Sequence, residues 1–344
     1  MVYVSAYGDI YLHDRIAAVS NHVAEVYNGE PLQVIERDGR FLKVKTRKGT
    51  IGWIEQSAVI NGSIYDSFVK LAGENLHDPV VATATLDDAL YMHLTPGRTT
   101  QHFYLLPVNT TVELLKRASV ARTPPPGFAP AAPVAATASA NAQPVPGLPQ
   151  PEAAEMEDWW LARDAKGRTG WLLGSRVDTV VPGDIEQYAG DQRVVGAYVL
   201  TKVMDPKSSF PNHEAPEYLT VMAPYQSGLP YDFDEVRVFT WSLPHHRYET
   251  AFRLHPIDGF LPVHTGFETT DKGTLPTFSF LIADGGNVTT DPATGITRPV
   301  NPRTIQYEMI DTIVKRMGPD LGPIHLLHEE KKPGEEARVR RKRR

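Results

Sequence analysis

The residue types with which a protein holds a metal or moves a proton gather in the C-terminal half: His245, His246, His255 and His264 with Asp258 nearby, and Asp232 with Asp234 inside "YDFDE". Zinc takes three or four such ligands in a convergent, fixed geometry. His245 and His246 are adjacent, so in a strand or turn their rings leave opposite sides of the chain and chelate poorly. These histidines therefore read as surface or turn residues, and no metal site is expected. Asp232 and Asp234 would do acid/base work if they converged in a cleft; strand alternation instead places both on one solvent-facing side. Nucleophilic chemistry has little to start from, because the chain has no Cys and no Gly-x-Ser-x-Gly elbow, and Ser227 in "YQSGLP" reads as a turn. "ADGGN" from Ala283 is a hairpin turn with no Lys-Ser/Thr pair behind it, so no phosphate loop is expected. The expectation is a protein that is not an enzyme and uses no cofactor.

Binding is the chemistry better supplied. Tyr11 and Tyr91, and Trp53 and Trp171, stand at matching places in two copies of one pattern. Rings exposed beside a sheet make a platform for a peptide or sugar chain. The competing reading puts Trp53 and Trp171 in a barrel core, where a large ring buries more area than any other side chain.

The matching comes from a repeat of a whole module. "GTIGWIEQSAV" from Gly49 returns as "GRTGWLLGSRV" from Gly167, "IYLH" from Ile10 as "LYMH" from Leu90, and "PLQVIER" from Pro31 as "TVELLKR" from Thr111. Ile10 to Leu90 is the same displacement as Ile35 to Leu115; the register then jumps, so that Phe41 matches Trp159 and Trp53 matches Trp171. The second copy thus carries an insertion, an Ala/Pro-rich stretch over about residues 119–157, where the first has only "RDGR". Such a composition builds no core and is expected as a disordered, partly polyproline-II loop. Apolar and polar residues alternate in "QVIER", "FLKVKT" and "GTIGWIE", the pattern of half-buried antiparallel strands. A Gly shortly before each Trp is expected to turn the chain and send the ring across the barrel.

The first copy resembles the bacterial SH3-like family in Leu12, Asp14 and Arg15, then "GEPLQVIE" from Gly29, then "GTIGWI" from Gly49. In the second copy Asn109 stands where Gly29 does, and Thr95 with Pro96 replaces the Arg15 neighbourhood, so its likeness rests on the repeat as much as on the motif. The resemblance implies small β barrels that bind or position partners, with peptidoglycan peptide or a protein as the ligand and a bacterial cell envelope or periplasm as the place. The alternative is a cytoplasmic chain. The rival function is a cell-wall hydrolase or accessory whose chemistry lies in the C-terminal domain.

The expected fold is all-β. Its parts are a first SH3-like barrel over 1–62, a spacer with a short helix over 63–79, a second barrel over 80–182, an antiparallel β domain over 184–318 and a charged, disordered tail over 319–344. "SFVKLAGEN" from Ser67 supplies the helix, with Phe68, Leu71 and Ala72 on one side. In the C-terminal part, "RVFTWSL" and "RYETAFRL" joined by "PHH" make the clearest hairpin, with Val238, Thr240 and Ser242 on one face and Phe239, Trp241 and Leu243 on an apolar other. "TIQYEMIDTIVKRMG" fits either a strand or one terminal helix. A net charge of −6, with the positive charge gathered in "RVRRKRR", argues against a nucleic-acid surface over the folded part. The tail could meet an anionic membrane surface by salt-sensitive attraction, and a simply solvated tail is the preferred reading. No apolar run is long enough to span a membrane, and "MVYVSAYGDIYL" lacks the layout of an export signal, although a strand-like start leaves room for a preceding segment.

Overall fold

The computed structural model describes residues 1–5, 10–123, 154–271 and 273–324. In its N-terminal part the alternating segments form β1 (Val2–Val4), β2 (Ile10–His13), β3 (His22–Val26), β4 (Pro31–Asp38), β5 (Phe41–Lys45), β6 (Ile51–Glu55) and β7 (Val59–Asn61). All pairings are antiparallel, in the order β3-β2-β6-β5-β4-β1-β7. The inward residues Val2, Val4, Leu12, Val26, Leu32, Leu42, Val44 and Ile54 close a core of their own. It is a small one, which makes docking to a neighbour valuable.

After the helix α1 (Gly62–Glu74) come β8 (Ala82–Leu86), β9 (Leu90–His93), β10 (His102–Leu106), β11 (Thr111–Ala121), β12 (Met156–Asp164), β13 (Thr169–Leu173) and β14 (Val177–Thr179). Their order, β10-β9-β13-β12-β11-β8-β14, is the first order with every strand advanced by seven places. Even the bulge repeats: the register slips at Ile35 in β4 and at Leu115 in β11. β11 and β12 are longer than their counterparts and pair out to Ala121 and Met156. Residues 119–121 and 156–157, expected within the loop, are therefore strand; the loop's remaining expectation concerns residues 124–153, which lie outside the described residues, as does the tail beyond residue 324.

The helix starts five residues earlier than "SFVKLAGEN" suggested, because Ile64 and Tyr65 extend the stripe of Phe68 and Leu71 by one turn. It acts as a wedge and not as a spacer. Tyr65 stacks on Tyr3 of the first barrel at 4.0 Å, and Phe68 is buried against Phe103 and Tyr104 of the second. Asn28 completes the docking, donating to the Phe103 carbonyl and accepting from the Leu105 N–H.

The short helix α2 (Gly183–Glu186) leads into a β sandwich. One sheet runs in chain order, β15 (Gln192–Met204), β16 (Glu214–Pro224), β17 (Glu235–Ser242) and β18 (Arg247–Leu254); the other is β19 (Gly259–Thr270), β20 (Gly273–Ala283), β23 (Pro302–Ile310) and β24 (Ile313–Met317), with β21 (Val288–Thr290) and β22 (Thr297–Pro299) as a small hairpin. The hairpin β17–β18 forms as read, but a bulge between Val238 and Phe239 accompanies burial on both faces. Val238 packs into the sandwich core with Phe278 and Tyr307, while Phe239 packs under α2 with Ile185 and Tyr248. Of the two readings left open for "TIQYEMIDTIVKRMG", the strand is the one that forms: it makes the hairpin β23–β24, turned by Asp311 at φ 53, and no terminal helix.

The second barrel and the sandwich share one hydrophobic core. Across their junction Arg117, 3% exposed in its side chain, donates to Asp232, Asp158, Ser119 and the carbonyls of Leu229 and Tyr231. Asp232 also accepts from the Leu261 N–H, and buried Asp234 lies 3.6 Å from His255. The two aspartates expected in solvent are thus structural acceptors, because the segment holding them precedes β17 and runs along the junction.

Candidate functional site

The register of the first barrel lines up one side chain per strand in a row across five strands. His22 is opposite His13, His13 opposite Trp53, Trp53 opposite Lys43 and Lys43 opposite Glu36. Side chains directly opposite in antiparallel strands touch. Tyr11 adds its ring, stacked on His22 at 4.2 Å, while His22 meets His13 edge-on at 5.1 Å. The Ser20 hydroxyl lies 2.8 Å from His13 Nδ1 and fixes that ring. The Lys43 ammonium sits 5.5 Å from the Trp53 ring centre and 3.3 Å from the Glu36 carboxylate. The result is a continuous strip of rings with a cation and an anion at one end.

The second barrel builds the same row from His102, His93, Trp171, Leu161 and Lys116. Tyr91 leans on His102 at 4.6 Å, and Thr100 Oγ1 lies 3.0 Å from His93 Nδ1. Tyr11, His13, Ser20 and His22 therefore recur as Tyr91, His93, Thr100 and His102. Ser20, His22 and their counterparts were missed in the sequence because the stretch between "IYLH" and "PLQVIER" was not aligned; the same displacement carried across it would have found them.

The two rows differ in what covers them. Leu161 replaces Lys43, and with Leu115, Trp159 and Trp171 it forms an apolar cluster on which Leu71 of α1 and Ile296 of the β21–β22 connection pack. In the first barrel the corresponding Ile35 is 50% exposed, against 3% for Leu115, and Phe41 and Trp53 are only half-buried. Burial also decides the charge of the second row. Desolvation, then the neighbouring His102, pushes His93 down to about 4, so it is neutral at physiological pH.

Neither Trp lies in its barrel's own core. Inward places beside them belong to Ile54 and Leu172, and each Trp points outward. The Gly just before it serves a close approach: a Cβ on Gly52 would stand 2.7 Å from Leu12 Cβ, and one on Gly170 2.6 Å from Met92 Cβ. The turn expected of a glycine is made farther back, by Gly49 at φ +90 and Gly167 at φ +76.

The C-terminal histidines do not come together. His245 pairs with Glu249, His246 with Asp205 at 2.7 Å and His255 with Asp234, while His264 is exposed on β19. Among the described residues no three His, Asp or Glu side chains converge as metal ligands. No helix among them is long and apolar enough to cross a membrane.

Residues 17–60, from ahead of β3 into β7, match the family model of the bacterial SH3 domain. A module of this class points to binding of cell wall or of protein. The second barrel's likeness to the first rests on strand order and register. No curated protein matches the chain.

Proposed function

We propose that the chain is a non-enzymatic binding or scaffolding protein of the bacterial cell envelope, and that the open row of the first barrel takes cell-wall peptide. One observation carries this reading: the same row occurs twice, and the copy capped by α1 has Leu161 in place of Lys43 and its Lys116 held by Asp78 and Asn75, while the open copy keeps the Lys43–Glu36 pair among its rings. An uncovered ring strip with a charge pair at its end suits a ligand that is part apolar and part zwitterionic, which a wall peptide is. The match over residues 17–60 supports the same class of partner.

The test is sedimentation of the purified protein with insoluble peptidoglycan. The intact chain and a chain ending at Pro333 should sediment, while Trp53→Ala and Tyr11→Ala should remain largely in the supernatant. Sedimentation that ignores both ring variants, or that disappears only when the tail is removed, would sink the reading and leave a protein partner or an anionic surface in its place.

A further inference from the structure

Two sheet edges face each other across a cleft between the second barrel and the sandwich. β14 ends the order of the barrel sheet, and β15 ends the order of the first sandwich sheet. Both strands line a hollow of about 900 Å³, which continues past Ser175 and Asp158 into a smaller one of about 440 Å³. These volumes fall in the range of ligand sites, and an edge strand offers backbone N–H and C=O groups to an added strand.

The charges of the cleft are separated. Toward its middle stands Arg193, whose Nη2 is 3.2 Å from Asp158, while its Nε is buried without a hydrogen-bond partner. The Oε1 of neighbouring Gln192 is likewise buried without a partner. Toward the α2 end stand Asp178 and Glu186, and the charges around Asp178 are those of Asp87 and Glu186, all acidic. Burial, then the like charge of Asp87, holds the Asp178 carboxyl above its ordinary range, the response of a crowded acidic group that a bound cation would relieve.

We propose that this cleft binds a short peptide with both termini free, laid as an added strand along the edge of β14, its carboxylate on Arg193 and its ammonium on Asp178 and Glu186. Guanidinium and carboxylate match as charge-assisted, directional partners. Strand addition supplies affinity through the main chain and leaves the side chains of the peptide little constrained, so the cleft reads termini more than sequence. This site is separate from the ring row of the first barrel and does not depend on what that row binds.

Isothermal titration of the full chain with trialanine, its N-acetyl form and its C-terminal amide tests the proposal. Trialanine should bind, and each blocked form should bind about tenfold more weakly or worse, the loss expected of one charge-assisted contact. Arg193→Gln should abolish the difference between acid and amide, and Asp178→Asn with Glu186→Gln the difference between free and acetylated amine. Because Arg193 touches the buried Asp158, a second variant keeps the result interpretable: Ser175 is exposed at the point where the two hollows meet, and Ser175→Trp should fill the cleft, leave thermal stability unchanged and remove binding. No heat at millimolar trialanine, equal affinity for the three peptides, or full binding by Ser175→Trp overturns the proposal.

Discussion

Arg117→Ala should uncouple the second barrel from the sandwich. The guanidinium stands 2.9 Å from Asp232 and 3.2 Å from Asp158, and donates to Ser119 and to two carbonyls, in a site where Asp158 is 2% exposed in its side chain. Removing it leaves two carboxylates and two carbonyls without their shared donor. Breaking a buried ion pair from one side costs about 3–5 kcal/mol, more than the pair's net worth when intact, because the remaining charge is stranded. Arg117→Met restores the packed stem but not the charge, so it should cost nearly as much; Arg117→Met combined with Asp158→Asn should cost clearly less than the sum of the two single changes.

The deficit should also have a definite pH course. Burial works to raise the Asp158 carboxyl, but Arg117, the Gly228 N–H and the Ser119 hydroxyl outweigh it and hold the group below its ordinary 3.8. In the native chain Asp158 therefore contributes stability that is present above 3.8 and is lost as pH falls through the lower folded value. Without Arg117 burial dominates and the carboxyl is raised, so the variant's deficit should be largest at neutral pH and shrink on acidification. Urea unfolding at neutral and mildly acidic pH reads this out, with two separated transitions expected in the variant. A deficit below about 1 kcal/mol at neutral pH, the size of a surface pair, or one that grows on acidification, refutes the reasoning.

Glycines that look alike in the sequence should behave oppositely. Gly52→Ala and Gly170→Ala should each lower stability by about 1–3 kcal/mol through overpacking, whereas Gly73→Ala on the exposed side of α1, where a Cβ meets nothing within 4 Å, should raise it by about 0.5–1 kcal/mol in thermal unfolding. Glu217 on β16 is pushed up to about 7 by burial, against the opposing Trp241 N–H, while the unfolded chain releases that proton near 4.5. Native stability should therefore fall as pH rises from 4.5 to about 7, and Glu217→Gln should remove that slope and stabilise the chain above pH 7 by up to about 3 kcal/mol. Leu71→Ala, which thins the cover over Trp171, should quicken exchange of the α1 amides, with little change in those of the first barrel's core strands; uniform protection loss across both barrels would count against α1 as a local lid.

The local half of this architecture was legible because it depends on nearest neighbours in the chain. Period-two alternation in "QVIER" and "FLKVKT" makes strands whatever their surroundings, Gly49 and Gly167 mark turns that need positive φ, and the common displacement of the "IYLH" and "LYMH" segments announces a second copy of the same strand order. Which face each strand turns to its neighbours was not legible, since that depends on segments far away. Trp53 and Trp171 carry the same local phrase, yet one lies half-open and the other buried, because only the second barrel meets Leu71 and Ile296. Asp232 reads as a solvent residue until Arg117, more than a hundred positions earlier, is folded against it. The histidine rows lie between these cases: their residues are visible as a repeat, but only strand register sets His13 beside Trp53 and His22, because contact across a sheet is decided by pairing and not by distance along the chain.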